Sequence, residues 1–272
     1  MKSLISVENK IIVISGATGV LGETMTRSLA AGGAHVVVLG RNKDKVEALV
    51  SSIKQNIDHE ATGVVADVTS KEELLRVKKD IENHLGYIDV LINAAGGNMA
   101  GALILPTQTL ADADLDQMRK VIDLNYIGTF LPTQIFLPLL EKSQKASVIN
   151  ISSVAAHLPL TRVMGYASAK SAIENLTQFL AVEFAQKQEN PIRVNALAPG
   201  FFLTEQNRDL LTNADGSLTD RGEKIITHTP LGKFGDPEEL NGAVHWLCSD
   251  AASFVTGTVV TVDGGFKVFA GV

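Results

Sequence analysis

Short apolar segments alternate with longer segments of helical periodicity along most of the chain. Lys10–Ser15 (KIIVIS) is a continuous run rich in β-branched residues, which is typical of a parallel strand buried on both faces. Further strands are predicted at Ala34–Leu39, Ala61–Ala66, Ile88–Asn93, Ser147–Ser152, Ile192–Ala198 and Thr258–Val262. Predicted helices lie at Val20–Ala31, Lys43–Gln55, Ser70–Leu85, Gly165–Gln188 and Pro237–Ser249.

This alternation predicts an α/β protein with a doubly wound Rossmann fold. We expect a parallel sheet of about seven strands, with right-handed crossovers that place helices on both faces. No internal repeat or low-complexity linker is visible, so residues 1–272 are predicted to form one domain. Thr204–Pro230 departs from the alternation, because it is polar and carries a turn signal at Asn213–Gly216. Long excursions of this kind are often lids, and we predict that this one covers a substrate.

Composition and charge narrow the classes of function. The chain has 272 residues, with 24 Lys and Arg against 30 Asp and Glu, and hence a formal net charge of −6. This balance argues against the broad basic surface of a nucleic-acid-binding protein. Cys248 is the single cysteine, which excludes an intrachain disulfide and favours a reducing compartment. No apolar run is long enough for a signal peptide or a membrane span, so we expect a cytoplasmic protein without a membrane partner.

A glycine-rich turn follows the first predicted strand and opens the first predicted helix. Gly16, Gly19 and Gly22 are spaced three residues apart. Residues without Cβ allow the backbone to approach a pyrophosphate, and the helix N-terminus offers it free N–H groups. A glycine-rich turn at this place in the chain predicts that a dinucleotide binds here. We expect Thr18, Val20 and Leu21, which lie between the glycines, to contact it as well.

The end of the second predicted strand bears on the choice of cofactor. An acidic residue there would accept hydrogen bonds from the adenosine ribose, whereas this chain has Gly40 followed by Arg41. A guanidinium at this place can pair with a 2′-phosphate, so the sequence favours NADP(H) over NAD(H).

Candidate catalytic groups lie around the start of the long predicted helix. Tyr166 and Lys170 are four residues apart and share one helix face. A phenol has a pKa near 10, and a neighbouring ammonium would lower it towards the range useful for proton transfer. Ser152 and Ser153 end a central strand, where a hydroxyl could hydrogen-bond a substrate oxygen while Tyr166 donates a proton to it.

Together with these elements, several motifs in order along the chain resemble the short-chain dehydrogenase/reductase family. They are Ala66–Val68, Asn93–Gly96, Asn125, Pro199–Gly200 and Val262–Gly265. The resemblance covers nearly the whole chain and implies an NAD(P)-dependent oxidoreductase acting on CH–OH groups. It also implies that Ser153, thirteen residues before Tyr166, is the catalytic serine, and that the protein is a homotetramer.

The resemblance implies further roles in the site. Lys170 would hold the nicotinamide ribose and tune Tyr166, and Asn125 would anchor a water that connects Lys170 to solvent. Asp67 and Val68 would hold the adenine, and Thr204 would contact the nicotinamide carboxamide. The remaining cofactor-binding positions implied are Asn93, Ala94, Ala95, Gly96, Pro199, Gly200 and Phe202.

A narrower resemblance, in Ala198–Arg208, Thr227–Gly232 and Gly264–Phe266, is to the D-mannonate oxidoreductase (fructuronate reductase) subgroup. It implies interconversion of D-fructuronate and D-mannonate, and a sugar-acid substrate of this kind requires a cation at the mouth of the site. Arg162 and Arg208 are the candidates. Candidates for contacts with sugar hydroxyls are Asn98, His157, Gln206 and Asn207.

Other functions remain open from the sequence. Within the family, the alternatives are a gluconate 5-dehydrogenase-like enzyme or a 3-ketoacyl reductase. In a different class, the chain could be a non-catalytic Rossmann protein that senses the cofactor, although such a protein would not need Tyr166, Lys170, Ser153 and Asn125 together.

No metal site is predicted. The six histidines are not clustered in a ligand spacing, and the aspartates of Asp112–Asp116 lack the glycine and glutamate of a calcium loop. These aspartates are instead expected to begin a helix that carries Met118 and Val121. Cys248, next to Trp246 and Leu247, is expected in the core.

Overall fold

Seven parallel strands form a single sheet in the centre of the molecule. The computed structural model describes residues 5–57, 59–204 and 207–271, and within them the strand order is β3-β2-β1-β4-β5-β6-β7. The strands are β1 (Ile11–Ser15), β2 (His35–Gly40), β3 (Ala61–Val65), β4 (Val90–Asn93), β5 (Ser147–Ile151), β6 (Arg193–Pro199) and β7 (Val259–Val262). Every neighbouring pair is parallel. The predicted single-domain, doubly wound fold is confirmed.

Helices cover both faces of this sheet. They are α1 (Val20–Ala31), α2 (Lys43–Asn56), α3 (Lys71–His84), α4 (Leu115–Ile122), α5 (Gly128–Leu140), α6 (Met164–Lys187), α7 (Arg208–Leu211), α8 (Asp220–Thr227) and α9 (Asn241–Cys248). Side chains of α1, α2 and α9 pack on one face, and those of α3, α5 and α6 pack on the other.

Alternate residues of the central strands point to opposite faces, and both sets are buried. Ile12 and Ile14 of β1 belong to the core under α1, whereas Val13 belongs to the core under α3 and α5. A strand buried on both faces must be apolar at every position, which explains the continuous apolar runs of the sequence.

Polar side chains mark the starts of several helices. Oδ1 of Asn42 accepts a 2.9 Å hydrogen bond from the backbone N–H of Lys45, and Ser70 caps α3 in the same way. Asp114 caps α4 by accepting bonds from the N–H groups of Asp116 and Gln117. The expectation that this aspartate begins a helix is therefore confirmed.

Two helical segments differ from the sequence prediction. A π-helical turn (Asp123–Ile127) joins α4 to α5, and α5 was not predicted because it contains Pro132 and Pro138. Proline removes a backbone donor and is a strong signal against a helix interior. The predicted helix at Pro237–Ser249 is divided into a 3₁₀ turn (Pro237–Leu240) followed by α9.

The described part of the polar excursion, residues 207–230, carries α7 and α8. A turn at residues 213–217 separates them, in which Gly216 has φ +85°. Leu211 and Ile225 form a small apolar cluster with Val154 and Phe266. This cluster packs the excursion against the loop that follows β5.

Within the described residues, no helix is long and apolar enough to cross a membrane. The same residues contain no group of three or more His, Cys, Asp or Glu side chains arranged to hold a metal ion. Cys248 is 1% exposed, and burial raises the pKa of its thiol to about 12. It is therefore a core residue, as expected.

Candidate active site

A cleft of about 560 Å³ lies at the carboxyl ends of the central strands, where β1 is flanked by β2 and β4. The chain leaves β1 on one side and β4 on the other, so this is the switch point at which open α/β sheets bind ligands. The predicted residues that line it are Gly16, Thr18, Gly19, Val20, Leu21, Gly22, Arg41, Val68, Ala94, Ala95, Gly96, Ser153, Tyr166, Lys170, Pro199, Gly200, Phe202, Thr204 and Asn207.

The glycine-rich turn can adopt its shape only without side chains at two positions. Gly16 has φ +68°, and a Cβ there would lie 2.6 Å from the backbone nitrogen of Ala95. A Cβ on Gly22 would overlap the carbonyl oxygen of Gly16. The glycine-rich turn thus places the N-terminus of α1 at the cleft wall. No side chain at Gly16 or Gly22 separates the backbone from a ligand bound there. This cradle fits the pyrophosphate of a dinucleotide.

Arg41 and Asp67 lie at the end of the cleft next to β2 and β3. The Arg41 side chain is 63% exposed, and its Nη1 is 3.7 Å from Oδ2 of Asp67. Burial acts to raise the pKa of Asp67, but hydrogen bonds from Thr69 and the charge of Arg41 outweigh it, and the pKa is lowered. Asp67 stands beside the cleft rather than in its wall.

Asn93 lies below the cleft and takes no part in its surface. It is 1% exposed, and its Nδ2 donates to Oγ1 of Thr133 and to Oδ1 of Asn150, both at 2.9 Å. Asn93 therefore ties β4 to β5 and α5, which shapes the sheet beneath Ala94 and Ala95.

Lys170 is buried at the centre of the site. Its Nζ donates a 2.7 Å hydrogen bond to the carbonyl of Ile151 and lies 5.5 Å from the centroid of the Tyr166 ring. Burial disfavours the charged form and lowers the pKa of Lys170 to about 8.

Tyr166 and Ser153 both lie in the wall of the cleft, where the Ser153 side chain acts on the phenol. The sequence predicts a lowered pKa for Tyr166, whereas in the protein alone it is raised. The cause is burial of the phenol, which the neighbouring Ser153 side chain only partly opposes. The Lys170 ammonium does not reverse this effect, since it is directed at the carbonyl of Ile151.

Asn125 occupies the π-helical turn between α4 and α5. Its Nδ2 donates to the carbonyls of Gly97 and Val121, each at 2.8 Å, and its Oδ1 accepts from the N–H of Gly97 at 3.0 Å. A Cβ on Gly96 would lie 2.7 Å from Oδ1 of Asn125 and 3.2 Å from Nζ of Lys170. Asn125 thus fixes the loop after β4 close to Lys170.

The segment after β6 forms the opposite wall of the cleft. Asn207 holds a tight turn there, because its Oδ1 accepts from the N–H of Thr204 and its Nδ2 donates to the carbonyl of Phe202, both at 2.8 Å. The Asn207 amide, predicted to meet sugar hydroxyls, is therefore engaged in shaping the wall that contains Thr204.

Four other predicted substrate residues, Asn98, His157, Arg162 and Arg208, are described and do not line the cleft. Asn98 is exposed on the loop after β4, where its Oδ1 accepts a bond from the N–H of Met99, and Arg208 is exposed at the start of α7. His157 is directed at α6, with its Nε2 3.0 Å from Oε1 of Glu174 but not aligned as a hydrogen bond. Arg162 is half-buried immediately before α6. Gln206 lies outside the described residues.

Comparison with known proteins identifies the family. A family model described as Enoyl-(Acyl carrier protein) reductase matches residues 16–267. An uncharacterized oxidoreductase of Bacillus subtilis, named UxuB, is 44% identical over 273 residues, covering 97% of this chain and 96% of that protein. The chain belongs to the short-chain dehydrogenase/reductase family. It is therefore an oxidoreductase that acts on alcohol groups with a nicotinamide cofactor.

Two solved structures of this family are similar to the whole chain. A Haemophilus influenzae protein, provisionally assigned as a D-mannonate oxidoreductase and solved with bound NAD, is 40% identical, has a TM-score of 0.91, and matches over 98% of both chains. A gluconate 5-dehydrogenase from Burkholderia cenocepacia, solved with NADP and tartrate, is 30% identical, has a TM-score of 0.86, and matches over 97% of both chains.

Several residues in and near the cleft of this short-chain dehydrogenase/reductase are not predicted from the sequence. Asn42 and Lys45 line the cleft beside Arg41, and the polar start of α2 after a glycine-ended strand could have suggested them. Glu174 and Arg221 gave no signal, because their partners are distant along the chain: Glu174 binds Ser152, and Arg221 contacts Thr161.

Proposed function

We propose that this enzyme interconverts a keto sugar acid and its hydroxy acid, and that D-fructuronate and D-mannonate are the physiological pair. The observation that carries the chemistry is that Tyr166, Ser153 and the buried Lys170 line one end of the same glycine-lined cleft. The substrate class is supported by the similarity to the Haemophilus influenzae protein.

In this proposal, the bound nicotinamide supplies or accepts the hydride at the substrate carbon. Tyr166 donates the proton to the substrate oxygen during reduction and removes it during oxidation. Ser153 hydrogen-bonds the same oxygen and holds it near the phenol. The positive charge of Lys170, 5.5 Å from the ring centroid, favours the phenolate that forms when Tyr166 gives up its proton.

We further propose that NADP(H) is preferred over NAD(H). Gly40 leaves the end of β2 without a carboxylate, and Arg41 and Lys45 supply two positive charges at that end of the cleft. A 2′-phosphate would compete with Asp67 for Arg41, and the pair it would replace is loose, at 3.7 Å. The relatives named above were solved with either dinucleotide.

The polar excursion, residues 204–230, is proposed to act as the lid over the substrate. Leu211 and Ile225 belong to the same apolar cluster as Val154, the residue that follows Ser153. The excursion therefore lies next to the loop after β5 that carries Ser153. Covering the site would exclude water from the reaction.

A gluconate 5-dehydrogenase-like activity is the second candidate. It is supported by the similarity to the Burkholderia cenocepacia enzyme, and it needs the same groups around the reacting oxygen. The two candidates differ in the sugar acid accepted and not in the proton chemistry of Tyr166.

The test is a panel of substrates with both cofactors. Oxidation of NADPH and of NADH is followed with D-fructuronate, 5-keto-D-gluconate and a 3-ketoacyl thioester. We expect D-fructuronate with NADPH to give the highest kcat/KM. Tyr166→Phe should lower kcat by about 10²- to 10⁴-fold while NADPH still binds.

Each part of the proposal can fail separately. If no keto sugar acid is reduced, the substrate assignment is wrong although the family stands. If Tyr166→Phe is as active as the wild type, the role of Tyr166 is wrong. If no ketone is reduced but cofactor binds, the chain is a cofactor-sensing protein instead.

Family membership also supports two further proposals, a homotetramer and a cytoplasmic location. Phe179 and Val182 on α6 are 63% and 59% exposed and would be covered by contacts between subunits. Light scattering on the purified protein tests the tetramer, and fractionation of the source cells tests the location.

A further inference from the structure

Arg221 of α8 contacts the segment before α6 at Thr161, the residue next to Arg162. Arg221, in the first turn of α8, donates from Nη1 to Oγ1 of Thr161 at 3.3 Å. Arg162 is the next residue, and both arginines are half-buried. The positive charge of Arg221 is thereby held beside that of Arg162, although the two residues are 59 positions apart in the sequence.

The backbone holds Arg162 in an unusual conformation. Its φ is +75°, in the left-handed region that residues other than glycine rarely adopt. Its carbonyl accepts a 3.1 Å hydrogen bond from the N–H of Ile104, in the loop after β4. Such a conformation persists only where the surroundings impose it, often at ligand-binding positions.

No described carboxylate neutralises this pair. Other arginines have an acidic partner, such as Glu23 for Arg27 and Asp116 for Arg119. Among the side chains that the structure describes, which do not include those of Glu205 and Asp209, no carboxylate lies within 4.0 Å of Arg162 or Arg221, and Asp220 and Glu223 of α8 do not reach them. Burial lowers the pKa of Arg221, and the charge of Arg162 lowers it further.

The position of this arginine pair relates it to the reacting groups. Arg162 precedes Tyr166 by four residues, with the start of α6 between them. Ile225 of α8 belongs to the same apolar cluster as Val154, which follows Ser153. A ligand bound between the two arginines would therefore touch both the excursion and the loop that carries the catalytic serine.

We propose that Arg162 and Arg221 together bind the carboxylate of the sugar acid. A carboxylate has two oxygens and a negative charge, and guanidinium groups are the side chains best suited to pair with it. Binding would remove the repulsion between the two cations and fasten α8 to the segment before Tyr166. The inference rests on the proposed function for the identity of the acid, and it assigns the recognition to Arg221 rather than to the exposed Arg208.

Direct binding measurements test the pair without turnover. Titration calorimetry with NADPH present gives the Kd of D-mannonate, of tartrate as a second carboxylate probe, and of D-mannitol, which has the same carbon chain without the acid. Arg162→Met and Arg221→Met should each weaken D-mannonate by about 10-fold or more, because each removes a charge-assisted hydrogen bond. Binding of D-mannitol and of NADPH should not change.

Two matched variants separate recognition from a general effect of charge. Arg208→Met removes an exposed arginine from the same excursion and should leave the Kd of D-mannonate within about twofold of the wild type. Arg221→Lys keeps the charge but loses the planar fork, and should fall between the wild type and Arg221→Met. Circular dichroism and the Kd of NADPH confirm that each variant is folded.

The outcomes distinguish failure of the arginine site from failure of the proposed sugar-acid substrate. If the wild type reduces a keto sugar acid and Arg221→Met binds D-mannonate as tightly as the wild type, the arginine pair is not the carboxylate site. If the wild type reduces no sugar acid but binds tartrate through both arginines, the site stands and the proposed substrate fails. If the wild type binds neither carboxylate, the arginine site is wrong.

Discussion

The hydroxyl of Ser152 donates a 2.6 Å hydrogen bond to Oε1 of Glu174, and this bond joins the end of β5 to the middle of α6. The same carboxylate oxygen lies 3.0 Å from Nε2 of His157, at the other end of the short loop that carries Ser153. Glu174 thus links both ends of the loop that carries Ser153 to α6, the helix that also carries Tyr166 and Lys170. We infer that it positions Ser153 without touching substrate.

Replacing Glu174 should therefore impair catalysis more than binding of the cofactor. Glu174→Ala removes the acceptor for Ser152 and is expected to lower kcat by about 10-fold, since small displacements of catalytic groups are costly. The KM for NADPH should stay within about twofold. Hydrogen exchange of residues 152–158 should become faster, which would report the loosened loop directly.

The conservative and control variants make the test specific. Glu174→Gln keeps an oxygen acceptor for Ser152 and should recover part of kcat. Glu183→Ala, on the same helix but paired with Lys187 near its end, should behave as the wild type. A Glu174→Ala enzyme with wild-type kcat and exchange rates would show that the contact has no positioning role.

Lys170 should impose an alkaline limit on the reduction reaction. Its pKa is lowered from 10.5 to about 8 by burial, so the ammonium is present below pH 8 and is lost as the pH rises through that value. Ketone reduction needs this charge beside Tyr166, and kcat/KM should fall above about pH 8. Between pH 8 and 10.5, Lys170 is protonated in the unfolded chain and neutral in the folded protein. Its contribution to the free energy of unfolding therefore increases as the pH rises through this range.

Lys170→Arg provides the comparison, because a guanidinium stays protonated throughout this range. Its remaining activity should not decline between pH 8 and 9.5, whereas Lys170→Met should lose most activity at every pH. The assignment would be contradicted by a wild-type profile that is flat up to pH 9.5.

Arg41 should distinguish the two dinucleotides. Arg41→Ala is expected to raise the KM for NADPH by about 10- to 100-fold through loss of bonds to the 2′-phosphate, and to leave the KM for NADH nearly unchanged. Lys43→Ala is the matched control, since Lys43 is also exposed and basic but pairs with Glu47 away from the cleft wall. An equal change in the KM for NADPH and in the KM for NADH would mean that Arg41 does not bind the 2′-phosphate.

The fold was largely predictable because buried parallel strands leave a strong signal. β1 is apolar at four of its five positions and β5 at three of five, and their predicted limits agree with the structure within one residue. α5 escaped prediction because Pro132 and Pro138 contradict the local rule for helices. Packing on the sheet through Phe136 and Leu139 overrides that rule, which no local pattern reveals.

The site was predictable where function requires a fixed spacing and not where it depends on tertiary contacts. Tyr166 and Lys170 lie on one helix, so their spacing alone brought them together. The pKa of Tyr166 could not be inferred in the same way, because it depends on burial and on where the Lys170 ammonium is directed. Arg221 was missed for a related reason: its neighbour Thr161 comes from another segment.

The glycines of the first turn should differ sharply in their tolerance of a methyl group. A Cβ on Gly22 would overlap the backbone carbonyl of Gly16, and neither backbone can move aside easily, whereas a Cβ on Gly19 would lie 3.4 Å from the same oxygen. Gly22→Ala should therefore lose about 1–3 kcal/mol of stability, the cost typical of overpacking, and bind NADPH more weakly. Gly19→Ala, whose φ of −83° suits any residue, should keep its Tm within about 2 °C of the wild type. Thermal unfolding of both variants measures the difference, and an equal loss of Tm in the two would show that contact with the Gly16 carbonyl does not determine which glycine is required.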